Sequence, residues 1–131
     1  MANLKIDISI GEALDRLTIL KIKLDEIKDE KKLSNIAREF ENLRESIVNY
    51  AGIEIISNDN KAYLELKKVN HELWQVEDKL RLLERNKDFS IHFIELARSV
   101  YILNDRRAQI KKLINVSNNS DLIEEKSYEA Y

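Results

Sequence analysis

Hydrophobic side chains recur at helical spacing along most of this chain, and the breaks in that spacing mark its turns. The start is different. Leu4, Ile6, Ile8 and Ile10 alternate with polar residues, the period of a short strand or extended arm. One strand has no partner in the remaining sequence, so an extended lead-in is expected, packed against the helices or against another subunit. Ser9-Ile10-Gly11-Glu12 then fits a capping box, with Ser9 at the N-cap and Glu12 reaching back to it. A first helix is predicted over about residues 10–28. Its main stripe is Ile10, Ala13, Leu14, Leu17, Leu20, Leu24 and Ile27, while Ile19 and Ile22 lie on a second face among Glu12, Asp15 and Glu26. Two stripes imply two sets of neighbours: helices of one crowded bundle, or half of an oligomer interface.

The second helix, about 30–51, carries one narrow stripe of Leu33, Ile36, Phe40, Leu43, Ile47 and Ala51, the pattern of a cover helix. Gly52 suits its C-cap, and Ile53 to Asn60 is the longest connection. Ile53, Ile55 and Ile56 in that loop call for burial, and Asn58 or Asp59 can cap the third helix. That helix, about 60–86, places Leu66, Val69, Leu73, Val76, Leu80 and Leu83 in heptad-like spacing. A mixed shoulder of Tyr63, Asn70, Trp74, Glu77, Arg81 and Glu84 runs beside that stripe. A short turn through Asn86, Lys87 and Asp88 leads to a fourth helix over about 90–115, capped by Asp88 or Ser90. The tail, 116–131, opens on Ser117-Asn118-Asn119-Ser120 and continues as a short helix or a strap. These elements predict a single all-α domain over 1–131: an up-down-up-down four-helix bundle with an extended N-terminal arm and a C-terminal tail.

Composition narrows the function classes. The chain is 44% hydrophobic and 35% charged, with no proline and two glycines, which favours long helices over a turn-rich β fold. A net charge of −2 is not the footprint of a nucleic-acid binder. The absence of cysteine excludes disulfides and thiolate metal sites. No apolar run approaches the roughly 18–20 residues that span a bilayer, and the N-terminus has no signal-peptide pattern, so a cytoplasmic protein is expected by default. His71 and His92 form no metal-binding pair, Gly11 and Gly52 stand alone rather than in a phosphate loop, and no cofactor or metal is indicated.

One stretch asks for chemistry. On the wheel of the fourth helix, Leu96, Val100, Leu103, Ile110 and Ile114 share an arc, and Arg107 falls near its centre with Asn104 and Lys111 on its flank. A charge on a buried face must be paired. Counting outward from the turn near Asp88 brings Arg107 level with about Val69 or Asn70. The up-down order brings Glu12 and Asp15 level with about Ile110 to Lys111. Glu12, Asp15, Asn70, Asn104, Arg107 and Lys111 therefore converge on one end of the bundle. Three readings are open: an internal salt-bridge network, a surface for a partner or second copy, or a pocket in which Arg107 and Lys111 hold a carboxylate or phosphate. Trp74, Glu77, Arg81, Ile19 and Ile22 are the residues expected at a protein interface. Successive residues of Arg106-Arg107 and Lys111-Lys112 point apart on the helix, so local pairing of Asp105 with Gln109, and Lys112 nearby, is expected there rather than contact with nucleic acid.

The segments SIGEALDRLTILKIKLDEIKD, NHELWQVEDKLR, FIELARSVYILNDRRAQIKKLIN and LIEEKSY resemble a family of short bacterial proteins that is catalogued as a domain of unknown function. The resemblance implies a compact all-helical domain and carries over no catalytic residues. The leading expectation is a binding or assembly module that works through its polar end, as a homo-oligomer or with a protein partner. The alternative is a small-ligand-binding protein or enzyme acting on an anionic metabolite.

Overall fold

The computed structural model describes residues 2–131, and they form four helices: α1 (Ile10–Glu26), α2 (Glu30–Ala51), α3 (Lys61–Arg85) and α4 (Ile91–Ser117). α1 is central. It packs against each of the other three, whereas α2 lies mainly on α1 and α3 pairs along its length with α4. The contacts Gly11–Asn115, Glu12–Lys111 and Asp15–Arg107 fall in reverse order along the two helices, so α1 and α4 run antiparallel. The core is Leu14, Leu17, Leu66 and Val69, all at most 1% exposed, ringed by Ile10, Ala13, Ile47, Ile55, Tyr63, Leu73, Ile110 and Ile114.

That core occupies the half of the molecule where α1 begins. Asn70 meets Asp15 and Thr18, so the end of α1 at Glu26 lies near Leu80, and beyond it the α3–α4 hairpin has no third helix to cover it. Burial reflects that geometry. Leu66, Val69 and Leu73 are buried, while Val76, Leu80 and Leu83 further along the same stripe are only half-buried.

Several local expectations change. α1 stops at Glu26 rather than near 28, where Ile27 turns extended (ψ 137°) ahead of Asp29, the N-cap of α2. Ser9 does cap α1, accepting from the Glu12 N–H at 3.1 Å, but the Glu12 carboxylate is taken by other partners and does not complete the box. α3 is capped by Asn60, which accepts from the Tyr63 N–H and donates to the Ile55 carbonyl, so neither Asn58 nor Asp59 serves. The loop before it folds into a 3₁₀ turn, Ile53–Ile56, that buries Ile55 and leaves Ile53 49% exposed. Ser90 stands at the α4 N-cap, and Asp88 binds its N–H. α4 runs on to Ser117, where the Asn118 side chain donates to the Ile114 carbonyl. The tail forms no helix. It turns back along α4 as a strap, with Glu124 near Lys111, Glu125 on Lys112 and Tyr131 stacked on Tyr101 at 5.1 Å. Residues 2–8, before Ser9, form no helix or turn and are exposed.

Candidate functional site

Arg107 is where the chain's polar chemistry converges. Helical periodicity places it on the buried arc of α4, and Asp15, one turn after Gly11 on α1, lies opposite. Arg107 Nε donates to Asp15 Oδ1 at 2.8 Å and Nη2 donates to Oδ2, the two-pronged contact that a planar guanidinium makes with a carboxylate. Asp15 is 1% exposed and its Oδ1 also accepts from Asn70 Nδ2 at 2.9 Å. The same Asn70 nitrogen donates to Thr18 Oγ1 at 2.7 Å, and that hydroxyl donates onward to the Asp15 carbonyl. Arg107 Nη1 reaches Asn104 Oδ1 at 3.4 Å. The hydrogen bond to Asp15 above all holds the Arg107 proton more firmly than in a free guanidinium, against the effect of burial.

One turn further along α4, Lys111 is buried to 8% exposure and donates to Glu12 Oε2 at 2.7 Å. Its Nζ also stands 4.0 Å from Asp15 and 3.5 Å from Glu124 of the strap. Burial pushes the Glu12 carboxyl up, but the hydrogen bonds from Lys111 and Arg16 and the two cationic charges outweigh it and hold the group below its ordinary 4.5. A carboxylate stabilised in the folded state contributes stability above its unfolded-state pKa, and that contribution is lost as pH falls through the folded value. The stability difference between wild type and Glu12→Gln should therefore be largest near neutrality and shrink below about pH 4.5, as urea titrations at a series of pH values can measure. A difference that grows on acidification would contradict this pairing.

At the end of the seam the Gly11 N–H donates to Asn115 Oδ1 at 2.7 Å. Asn115 is 1% exposed, and no periodicity in the sequence marks it as a partner for α1. The six polar residues expected at this end, Glu12, Asp15, Asn70, Asn104, Arg107 and Lys111, thus meet in one network. Thr18 and Glu124 join it, and Asn115 binds the α1 backbone beside it, without having been expected. Outside the buried pair, a cleft of about 410 Å³ opens between α1, α4 and the strap, lined by Glu12, Asn104, Asp105, Arg107, Ala108, Lys111, Glu124, Lys126 and Tyr128. Glu124 is held below its ordinary value first by its hydrogen bond with Lys126 and then by the charge of Lys111. Lys112 pairs with Glu125 of the strap, not with Asp105.

Ile19, Ile22, Trp74, Glu77 and Arg81 come together as well, around a separate groove of about 440 Å³ whose lining includes Asn70 and Arg107. Ile22 is buried within the chain, and Ile19 and Trp74 are half-buried. The Trp74 Nε1–H is sealed from solvent without a hydrogen-bond acceptor. Among the described residues no group of histidine, aspartate and glutamate is arranged to hold a metal ion, and no helix is long and apolar enough to cross a membrane.

The chain belongs to DUF6165, a family of unknown function whose model matches residues 4–131. No curated protein and no solved structure matches it.

Proposed function

We propose that this chain is a binding module, and that the cleft between α1, α4 and the strap receives a carboxylate of its ligand or partner beside Lys111. The observation that carries this reading is the setting of Lys111. Its ammonium is nearly buried, its inner side is held by Glu12 on the rigid α1, and its outer side faces Glu124 on a strap that has no secondary structure. Glu124 is 41% exposed and sits 3.5 Å away, a loose contact compared with the 2.7 Å to Glu12. It occupies the position that an incoming carboxylate would take, and Lys126, now paired with Glu124 at 2.9 Å, supplies a second cation there. Arg107 is committed to Asp15, so its part is to fix the wall rather than to supply a free charge. Glu12 is stabilised in its charged form, which suits a fixed ion-pair partner better than a proton acceptor near neutral pH.

The test is a thermal-shift and calorimetric screen of mono- and dicarboxylates against wild type, Glu124→Gln and Lys111→Met. Glu124→Gln removes the internal competitor and should bind the same carboxylate more tightly, with an unfolding temperature raised by several degrees once ligand exceeds the dissociation constant about 100-fold. Lys111→Met should abolish the shift. If no carboxylate stabilises Glu124→Gln, the proposal fails.

A further inference from the structure

We infer that the N-terminal arm is half of a two-stranded antiparallel ribbon whose other strand comes from a second copy of this chain. Residues 4–8 form no helix, turn or bend, with Leu4 88%, Ile6 64% and Ile8 36% exposed, three large apolar side chains at the alternating positions that a strand presents on one face. Among the described residues, no backbone hydrogen bond joins this segment to the helices or to the strap. An extended segment with free N–H and C=O groups and one apolar side is a template for strand pairing.

The order of side chains selects the partner. Leu4-Lys5-Ile6-Asp7-Ile8 has the same chemistry read in either direction, with its two charges exchanged. In an antiparallel pair centred on Ile6, Leu4 faces Ile8 of the second copy, Lys5 faces its Asp7, and Ile6 faces Ile6. All apolar side chains then share one face of the ribbon, and both charge pairs share the other. A parallel pair would set Lys5 against Lys5 and Asp7 against Asp7, and a one-residue slip would face apolar residues with charged ones. A two-stranded ribbon is marginal alone in water and needs an apolar backing. That backing is present. A groove of about 460 Å³ lies between the arm and α2, lined by Ile6, Ile8, Leu43, Ile47, Tyr50 and Leu122, among other residues. Tyr50 is 71% exposed there. The second copy's Leu4 and Ile6 are the apolar groups that fit over it. This inference is independent of the carboxylate cleft.

Light scattering on the full chain at micromolar concentration should give twice the 15.4 kDa chain mass. Lys5→Asp alone puts acid against acid, and Asp7→Lys alone puts base against base, so each should weaken self-association about tenfold or more. The double variant Lys5→Asp/Asp7→Lys should dimerise again, and an equimolar mixture of the two single variants should form a heterodimer. Unchanged helical circular dichroism confirms that each variant is folded, since positions 5 and 7 lie outside the core. A monomeric wild type, a dimer that tolerates both single changes, or single variants that stay monomeric when mixed would overturn the inference.

Discussion

Arg107→Ala should destabilise this protein by about 3 kcal/mol, a large share of the 5–15 kcal/mol that holds a typical domain folded. The loss comes from Asp15 more than from the arginine. Asp15 is 1% exposed, and without Arg107 its carboxylate keeps one N–H from Asn70 and a lysine ammonium at 4.0 Å. Removing one member of a buried pair costs roughly 3–5 kcal/mol because the other charge stays behind, desolvated. The lower end applies here. The Arg107 side chain is 28% exposed, so water can reach the vacated space, and Lys111 can swing towards Asp15. Arg107→Lys should recover only part of the loss, since an ammonium cannot reproduce the two parallel bonds. The sign that identifies the mechanism is in a double variant. Asp15→Asn/Arg107→Ala should be more stable than Arg107→Ala alone, because it removes the orphaned charge and keeps an amide for Asn70. Urea denaturation of the four proteins measures it, and a single variant within about 0.5 kcal/mol of wild type would show the pair to be of no consequence to the fold.

That Arg107 would meet a carboxylate of α1, Glu12 or Asp15, was legible in the sequence because it rests on two regularities. Helical periodicity put a cation on a buried arc, and short turns fixed the order of levels along the bundle, so that an acid from α1 had to answer it. The same reasoning marked the shoulder of Trp74, Glu77 and Arg81 on α3 and the second face of Ile19 and Ile22 on α1, since each is a property of one helix. That the two sets line one groove depends on how the helices pack. The features that could not be read depend on single contacts or on the absence of contacts. Glu12 fitted a capping box by spacing, yet a charged partner at 2.7 Å on α4 outweighs a backbone N–H on its own turn. The three isoleucines of the loop looked equally apolar, and a 3₁₀ turn can point only some of them inward. Glu124 lies in a polar tail with no periodicity, so nothing in its neighbours predicted that it would sit on Lys111. Asn115 looked like any polar residue near a helix end.

The partner of Asn115 carries the second large effect. Gly11→Ala should destabilise by about 2–4 kcal/mol, although exchanging glycine for alanine within a helix ordinarily stabilises it by about 0.5–1 kcal/mol. Gly11 lies in the first turn of α1, where a Cβ would stand 2.6 Å from the Lys111 carbonyl oxygen and 2.7 Å from Asn115 Oδ1. Backbone cannot step aside as the end of a flexible side chain can, so α1 must move away from α4. That movement costs overpacking strain of about 1–3 kcal/mol and stretches the buried bond from the Gly11 N–H to Asn115. Adding Asn115→Ala removes one of the two obstructions but not the carbonyl. The double variant should then lose less than the sum of the singles while remaining well below wild type in urea denaturation. A Gly11→Ala protein as stable as wild type would mean that the two helices are not held this closely. The displacement also reaches the cleft, because Glu12 and Asp15 are carried on the same first turns of α1. Any surviving Gly11→Ala protein should accordingly bind the carboxylate probe more weakly, with Lys111 and Glu124 both intact. Close approach at one glycine is what lets a helix of 17 residues deliver one carboxylate to Arg107 and another to Lys111.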